Sequence, residues 1–241
     1  MSTATPPALA GLHGVSKRHG LVQALQDVHL ELTAGETVAL VGPPGAGKTA
    51  LCRVLAGLDP VDSGQILVHG HPLPRRGRQR TRLRAAVALV GEPPELLPTR
   101  TLLENLTAGQ MKLRGRTLLD AERRALAELR RVGLIGYAAR RPPELTGDER
   151  LRTALARALA LDPAVLLLDD PPTAVRDLLP ELTRADRALV VVTREAELVR
   201  SEAHRVVFMS TGRIVEEGPA HQFLSAPRTS RARDFLTRLL H

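Results

Sequence analysis

The sequence predicts an α/β domain in which helices flank a mostly parallel sheet. Near-continuous aliphatic runs at residues 165–168 and 189–192 are typical of parallel strands that are buried on both faces. Another strand, Thr37–Val41, leads directly into a glycine-rich turn and then into an apolar-periodic helix at residues 48–58. Strand patterns lie on both sides of a long helical stretch, so the sequence favours one α/β core with a helical insertion.

The predicted strands are segments where aliphatic residues alternate or run together between turn residues. In chain order they are residues 28–32, 37–41, 65–68, 86–90, 165–168, 189–192 and 206–209. The stretch between residues 168 and 189 is compatible with a helix. A last helix is predicted at residues 230–240, where the apolar side chains on one face are Phe235, Leu236, Leu239 and Leu240.

The helical insertion is indicated by a change to helical period between residues 101 and 161. Gly and Pro separate three predicted helices, at residues 101–113, 119–132 and 149–161. We therefore expect a single domain over residues 1–241, with a helical subdomain at 93–152 and an α/β core formed by 11–92 and 153–241.

The bulk composition fits one globular domain. The chain has 241 residues, 43% hydrophobic and 25% charged, enough for one sizeable core. Its longest aliphatic runs fall far short of the roughly 18 apolar residues that a membrane-spanning helix needs. Residues 1–10 lack the layout of a secretory signal, so they are predicted to be a flexible terminus of a cytoplasmic protein. The only cysteine, Cys52, excludes an intrachain disulfide and is expected to be a buried helix residue.

The positive charge is a weak guide to function. The net charge is +8, and only three of the 34 basic residues are lysines. The densest patch has arginines at positions 75, 76, 78, 80, 82 and 84. Nucleic-acid surfaces usually pair basic charge with stacking aromatics, and aromatic residues make up 2% of this chain. A solvated loop is therefore the favoured interpretation of the patch.

The glycine-rich turn fits the pattern G-x-x-x-x-G-K-[ST] of a phosphate-binding loop. Its residues are Gly42, Pro43, Pro44, Gly45, Ala46, Gly47, Lys48 and Thr49. Glycines let backbone N–H groups wrap phosphates, and the following helix N-terminus adds positive potential. Lys48 would reach the outer phosphates, and the Thr49 hydroxyl would ligate Mg²⁺. The strand-loop-helix context is the one this motif requires.

A second sequence element, an aspartate at the end of a strand, is also typical of a Mg-nucleotide site. The aliphatic strand at 165–168 is followed by Asp169, whose carboxylate would hold Mg²⁺ through water, as in phosphate-loop NTPases generally. The two elements predict a Mg-nucleotide site. Taken alone they leave a kinase, a small GTPase and a transport ATPase open.

The segments around the loop indicate which class of nucleotide-binding protein this is. Residues 15–20, 30–36, 55–58, 63–66, 103–106, 154–159 and 212–219 resemble the ATP-binding domains of ABC (ATP-binding cassette) transporters at the matching spacing. The resemblance extends from about residue 12 to the end of the chain. Residues 223–228 and 235–236 look most like the subgroup that serves importers of polar amino acids. The resemblance implies a phosphate-loop NTPase core with an antiparallel β portion near the N-terminus and an inserted helical subdomain.

The resemblance also implies partners. A domain of this kind binds ATP and Mg²⁺, and pairs with a second such domain as a homodimer or heterodimer. It docks through its helical subdomain on separate transmembrane permease subunits, at the cytoplasmic face of the membrane, and importers add an extracytoplasmic substrate-binding protein. We expect no nucleic-acid partner, because ABC-type DNA-repair and translation ATPases usually carry zinc modules, long coiled coils or a second cassette, which this sequence lacks.

The family pattern is altered at positions that serve hydrolysis. The catalytic glutamate after the metal-binding Asp is Asp170, one methylene shorter, and the switch histidine is Arg194. A carboxylate withdrawn by about 1 Å from the attacking water is enough to cost about 100-fold in rate. Arginine binds phosphate but cannot reproduce a neutral imidazole. The glutamine that links the core to the helical subdomain and helps to ligate metal is Glu92.

Positions that serve dimer closure and base binding are altered as well. The signature segment, usually Leu-Ser-Gly-Gly-Gln, here consists of Leu145, Thr146, Gly147, Asp148 and Glu149. Asp148 brings a negative charge to a position where backbone approaches the γ-phosphate. The aspartate of the segment that crosses the dimer interface is Arg176. The base-stacking aromatic is His19, which predicts weaker selection for adenine.

Two explanations of these departures remain open from the sequence. One is relaxed constraint on a regulatory or structural subunit that binds nucleotide and rarely or never hydrolyses it. The other is re-partnering of charges, in which Arg194 or Arg176 neutralises Asp170, Asp148 or Glu149. The first is favoured because a compensated network would have to satisfy several desolvated charges at once.

Overall fold

The structure is a computed structural model that describes residues 8–74, 80–81, 84–91, 93–171 and 173–239. The strands are β1 (Ala8–His19), β2 (Val22–Thr33), β3 (Thr37–Val41), β4 (Ser63–Val68), β5 (His71–Pro72), β6 (Val87–Val90), β7 (Val165–Asp169), β8 (Ala188–Val192), β9 (Arg205–Ser210) and β10 (Arg213–Pro219). The α-helices are α1 (Lys48–Leu55), α2 (Leu102–Arg114), α3 (Leu118–Arg131), α4 (Gly147–Ala160), α5 (Thr173–Arg176), α6 (Leu179–Leu182), α7 (Ala196–Glu202), α8 (Ala220–Ser225) and α9 (Ser230–Leu239). Short 3₁₀ helices lie at Ile135–Tyr137 and Pro142–Glu144.

The strands form two sheets. The larger sheet has the order β10-β9-β3-β8-β7-β6, in which β9 to β6 run parallel and β10 pairs antiparallel with β9. The smaller sheet has the order β2-β1-β4-β5 and is antiparallel throughout. Together they confirm the predicted α/β class, with a mostly parallel sheet and an antiparallel portion near the N-terminus.

The helix that follows the glycine-rich turn is packed between the two sheets. The buried residues of α1, including Leu51 and Cys52, share a hydrophobic cluster with strands of both sheets. Cys52 is fully buried, as predicted, and burial raises the pKa of its thiol. Since α1 is held from both sides, its N-terminus is fixed relative to the carboxyl ends of the parallel strands.

Helices α2, α3 and α4 share a hydrophobic core with the larger sheet. Along β7, Val165 and Leu167 face the α1 cluster, while Leu166 and Leu168 face a second cluster that includes residues of α2, α3 and α4. This alternation is the period-2 pattern of a strand that is buried on both faces. Helix α4 also runs through the predicted subdomain boundary at residue 152 without a break. The division into core and subdomain at that residue remains a prediction.

Several elements differ from the predictions. Residues 8–10, expected in the flexible terminus, lie in β1 and pair with β2 and β4. The first predicted strand, 28–32, is the end of the longer β2, and no strand was predicted for β1, β5 or β10. Helix α1 ends at Leu55, before the left-handed Gly57 (φ +65°). The helix-compatible stretch after β7 contains two short helices, α5 and α6.

No helix in the described part of the chain is long and apolar enough to cross a membrane.

The C-terminal helix is anchored to the sheet by one buried carboxylate. Glu216 of β10 is 7% exposed and accepts hydrogen bonds from the backbone N–H of Arg228 and Thr229, each at 2.8 Å, and from the Thr229 hydroxyl. Burial by itself raises the pKa of the Glu216 carboxyl, but these hydrogen bonds outweigh it and hold the pKa below its ordinary value. The residues held in this way lead directly into α9.

We expect Glu216→Gln to lower the free energy of unfolding by about 1–3 kcal/mol at pH 7, because it weakens several buried hydrogen bonds to a charged acceptor. Since the folded-state pKa lies below the unfolded value of about 4.3, the contribution is present above that pH and is lost as the pH falls through the folded-state pKa. Urea unfolding of both proteins at pH 7 and below pH 4 measures this. Glu217→Gln, at an exposed neighbour paired with Arg205, is the control; an equal effect of both variants would contradict the prediction.

Candidate nucleotide-binding site

The phosphate loop lies between β3 and α1, as the motif requires. Gly42 and Gly47 have φ of +151° and +100°. A Cβ on Gly42 would lie 2.2 Å from the carbonyl oxygen of Met209, and a Cβ on Gly47 would lie 2.4 Å from that of Ala24. Neither position has room for a side chain, and both need the left-handed conformations that favour glycine. Glycine is therefore required at positions 42 and 47 by the conformation and close packing of the backbone.

Lys48 is held inside this loop. Its Nζ donates to the carbonyl oxygens of Gly42, at 2.8 Å, and Pro43, at 3.0 Å. Burial lowers the pKa of the ammonium, and the nearby Asp169 carboxylate opposes this. The loop therefore encloses a cation whose two visible partners are neutral carbonyls, an arrangement suited to exchange for phosphate oxygens.

A cleft of about 450 Å³ opens beside the loop. It is lined by Pro44, Gly45, Lys48, Thr49, Asp169, Asp170, Val192, Thr193 and Arg194. These residues come from the loop, from the start of α1 and from the carboxyl ends of the parallel strands β7 and β8. In open α/β sheets this edge is where ligands bind. The structure thus brings together the phosphate loop, two of the predicted metal ligands, Thr49 and Asp169, and two of the residues with predicted catalytic roles, Asp170 and Arg194.

The residues of the cleft fit a magnesium ion that is bound together with phosphates. Thr49 is exposed and Asp169 is half-buried, and both face the cleft. Among the described residues, no group of three or more His, Cys, Asp or Glu side chains could hold a metal ion. Mg²⁺ commonly binds through one or two protein ligands, waters and substrate phosphates. Thr49 and Asp169 would hold it, and the ion would neutralise charge that develops on the phosphates.

Asp170 and Arg194, for which the sequence predicts altered catalytic roles, are paired with each other. Asp170 follows directly on β7, and its backbone N–H donates to Val192 at 3.1 Å. The Arg194 Nη2 atom lies 3.6 Å from the Asp170 Oδ2 atom, and the side chains are 63% and 57% exposed. The sequence left open whether Arg194 neutralises Asp170, Asp148 or Glu149, and in the described part of the chain it pairs with Asp170.

Arg176 has a different partner from those considered in the sequence. Its Nη1 donates to the Glu195 carboxylate, and its Nε donates to the carbonyl oxygen of Pro171 at 3.0 Å. Among the described residues Arg176 therefore forms no ion pair with Asp170, Asp148 or Glu149 of its own chain, and whether it does so across a dimer remains a prediction. The pair with Glu195 instead ties α5 to the segment after β8.

The signature segment lies outside the cleft, at the start of α4. Thr146 caps the helix: its hydroxyl accepts from the Glu149 N–H at 3.3 Å, and the Glu149 carboxylate accepts from the Thr146 N–H at 2.8 Å. The two hydrogen bonds form a capping box, and the one that the carboxylate accepts from the Thr146 N–H lowers the pKa of Glu149. Leu145 is buried, while Gly147 and Asp148 are exposed. Within one chain the segment caps the N-terminus of α4. Its predicted contact with nucleotide bound by a second domain remains a prediction.

Two other predicted site residues are not in the cleft. His19 is exposed at the end of β1 and does not line the cleft. Glu92 lies outside the described residues. The roles predicted for both remain predictions.

The structure adds residues that the sequence analysis missed. Thr193 is buried in the cleft wall, and its hydroxyl accepts from the Glu195 N–H at 3.0 Å. A second cavity, of about 600 Å³, lies beside the loop and is lined by Gly42, Pro43, Pro44, Arg194, Phe208, Ser210, Thr211, Arg231, Asp234, Phe235 and Arg238. Four of these lie on α9, for which the sequence indicated only an amphipathic face. Arg194 borders both spaces.

Comparison with known proteins agrees with this geometry. Residues 25–173, which include the loop, Asp169 and Asp170, match the model of the family described as ABC transporter. The chain belongs to the ABC transporter family. Domains of this family bind ATP.

The similarity to characterised relatives extends over nearly the whole chain. The glutamate/aspartate import ATP-binding protein GltL of Escherichia coli (strain K12) is 39% identical over 238 residues, which cover 95% of this chain and 99% of that protein. The glutamine transport ATP-binding protein GlnQ of Geobacillus stearothermophilus is 35% identical over 95% of this chain and 98% of that protein. The cassette MJ0796, solved as a dimer in a post-hydrolysis state bound to ADP and Pi, superposes with a TM-score of 0.78 at 27% identity, covering 88% of this chain and 98% of that one.

Proposed function

We propose that this cassette is the ATP-binding subunit of an importer of polar amino acids, and that it binds MgATP in the cleft between the phosphate loop and the ends of β7 and β8. The observation that supports this most is similarity over 94–95% of the chain to subunits named for transport of glutamate, aspartate, glutamine and cystine. In the cleft, Lys48 would bind the outer phosphates, while Thr49 and Asp169 would hold Mg²⁺.

The proposed assembly follows from the same relatives. The cassette would pair with a second copy or a related cassette, so that the signature segment at residues 145–149 of one domain covers the phosphates bound by the other. It would dock on transmembrane permease subunits at the cytoplasmic face of the membrane, as a peripheral subunit. An extracytoplasmic substrate-binding protein would deliver the amino acid.

Uptake by a reconstituted complex tests this proposal. The chain would be co-purified with its cognate permease, placed in liposomes with internal MgATP, and offered radiolabelled glutamate, aspartate, glutamine, arginine and cystine with the binding protein. We expect ATP-dependent uptake of one of these amino acids, and no uptake when Lys48→Ala replaces the wild-type chain. Stable assembly without uptake of any of the five would exclude the amino-acid assignment.

A second candidate function is favoured by the altered catalytic positions. Asp170 and Arg194, at positions where the sequence resemblance implies a glutamate and a histidine, form an ion pair in the cleft. This supports a subunit that binds MgATP and hydrolyses it slowly or not at all, with a regulatory or structural role beside an active partner. In the same liposomes, binding of ATP without phosphate release would support this alternative, and phosphate release that keeps pace with uptake would exclude it.

A further inference from the structure

The cavity of about 600 Å³ beside the phosphate loop lies between the loop and the C-terminal helix. Gly42, Pro43 and Pro44 of the loop line it, and so does one face of α9. Small-molecule sites in proteins commonly have volumes of about 300–1,000 Å³. The space is therefore large enough for a small organic ligand.

Three charged side chains of α9 line this cavity. They are Arg231, Asp234 and Arg238, all exposed. Residues at these spacings lie on one face of a helix, where opposite charges commonly pair. Among the described residues, however, none of the three forms an ion pair or a side-chain hydrogen bond. With a rise of about 1.5 Å per residue, the two arginines start about 10 Å apart along the helix axis, so their long side chains can contact the same small molecule.

The same cavity has an apolar wall. Phe208 is buried and Phe235 is half-buried, and their ring centroids are 5.2 Å apart. Both rings line the cavity together with Pro43 and Pro44. An inorganic anion would leave this apolar surface in water, whereas an aliphatic stem would cover it. The wall therefore favours a ligand that has charged groups on a short apolar stem.

The unpaired charges of α9 indicate which charged groups such a ligand carries. Each guanidinium binds a carboxylate with paired hydrogen bonds, and the Asp234 carboxylate accepts hydrogen bonds from an ammonium. Arg194 also lines the cavity but is paired with Asp170. The complement of the charges on α9 is thus two carboxylates and one ammonium. An acidic amino acid carries these three groups on a short aliphatic stem.

We propose that this cavity is a binding site for a free acidic amino acid, glutamate or aspartate. Its carboxylates contact Arg231 and Arg238, its ammonium contacts Asp234, and its stem lies against Phe235. The site goes beyond the proposed nucleotide site, because none of these α9 residues lines the cleft beside Lys48. The two sites nevertheless share the loop, so a bound amino acid would contact the segment that encloses Lys48.

Calorimetric titration of the whole chain at low ionic strength, without nucleotide, tests the carboxylate contacts. Glutamine lacks the second carboxylate and glutarate lacks the ammonium, so we expect glutamate to bind about tenfold more tightly than either. Arg231→Ala and Arg238→Ala should each weaken glutamate binding about tenfold. Arg233→Ala is the matched control, since Arg233 is an exposed arginine of the same helix that does not line the cavity. Equal weakening by Arg233→Ala would show an effect of overall charge and would overturn the site.

An exchange of ligand and side chain tests the ammonium contact. Asp234→Asn should weaken glutamate binding and strengthen glutarate binding, because it removes a partner of the ammonium and a charge that repels carboxylates. Changes of the same sign and size for both ligands would overturn the contact. Unfolding midpoints of all variants verify that each is folded.

Titration with MgATP separates this proposal from the proposed function. Glutamate should still bind when MgATP is saturating, and complete displacement by MgATP would place it in the nucleotide cleft and overturn the separate site. A wild-type chain that binds MgATP but not glutamate refutes this proposal alone. A chain that binds glutamate but not MgATP refutes the proposed function alone.

Discussion

Lys48→Ala is expected to weaken MgATP binding by at least about 100-fold. In the structure the Lys48 ammonium is half-buried and makes two hydrogen bonds, both to carbonyl oxygens of the loop. When phosphates replace these partners, each charge-assisted hydrogen bond contributes about 1.5–3 kcal/mol. Two of them correspond to about 100-fold or more in affinity. Arg194, the other basic residue that lines the cleft, follows β8 and is not part of the loop that encloses Lys48.

Titration of the purified chain with MgATP measures this loss. Lys112→Ala is the matched control, since Lys112 is an exposed lysine on α2, away from the cleft. Because Lys48 also holds the loop carbonyls together, removing it could alter the loop itself. Lys48→Met keeps the apolar stem without the charge, so it should show the same loss with an unchanged unfolding midpoint. Affinity of Lys48→Met within a few-fold of the wild type would contradict the role given to the ammonium.

The parts of the fold that the sequence predicted share one property. Strands β3, β7 and β8 are buried on both faces, so their sequences are continuous aliphatic runs bounded by turns. The loop at Gly42–Thr49 could be placed because its glycines and Lys48 have fixed spacing. Parallel strands bring their carboxyl ends to one edge, so the meeting of Asp169 with the loop was also predictable.

The elements that were missed lack such a local signal. The edge strand β10 exposes Arg213 and Glu217, and its buried Glu216 is polar, so no hydrophobic alternation marks it. In β1, left-handed Gly14 accompanies an irregular register with β2, which breaks the period of two.

The sequence analysis did not predict that α9 lines the cavity of about 600 Å³ beside the loop, because a contact between residues far apart in the sequence places this helix. Phe235 of α9 lies against Phe208 of β9, with ring centroids 5.2 Å apart, and this places the helix beside the phosphate loop. Nothing in the sequence of residues 230–240 indicates which part of the domain the apolar face covers. Likewise, the spacing of Arg176 and Arg194 could not show that, among the described residues, Arg194 pairs with Asp170 while Arg176 pairs with Glu195.

Introducing the glutamate and histidine that the family resemblance implies at positions 170 and 194 is expected to raise ATP turnover by about 100-fold over the wild-type chain. In the double variant Asp170→Glu, Arg194→His, the carboxylate gains one methylene toward the attacking water, and no guanidinium is left to pair with it. A positioned general base contributes about 10²–10⁴-fold to such reactions, and a displacement of 1 Å can remove about 100-fold. We expect the gain in kcat with little change in KM, since the altered groups act on the reacting phosphate.

The two single variants should fall well short of the double one. With Asp170→Glu alone, the longer carboxylate is still within reach of Arg194 and remains paired. With Arg194→His alone, the shorter carboxylate of Asp170 still lies too far from the attacking water. The gain should therefore be non-additive, as for groups that act as a unit. The matched control is Asp170→Asn with Arg194→His, which has the same number of changes but no base.

The backbone at residue 170 sets a limit on this gain. Asp170 has φ of +52°, a left-handed conformation that Asp and Asn adopt more readily than Glu. Asp170→Glu should therefore lower the unfolding midpoint slightly, whereas Asp170→Asn should not, and comparing these midpoints separates strain from loss of catalysis. Adding Asp148→Gly to the double variant should raise turnover further only in the dimer, because Asp148 lies outside its own chain's cleft.

One outcome would contradict the prediction for the double variant. If the wild-type chain hydrolyses ATP as fast as the double variant, Asp170 and Arg194 do not impair catalysis, and their ion pair is part of a working site.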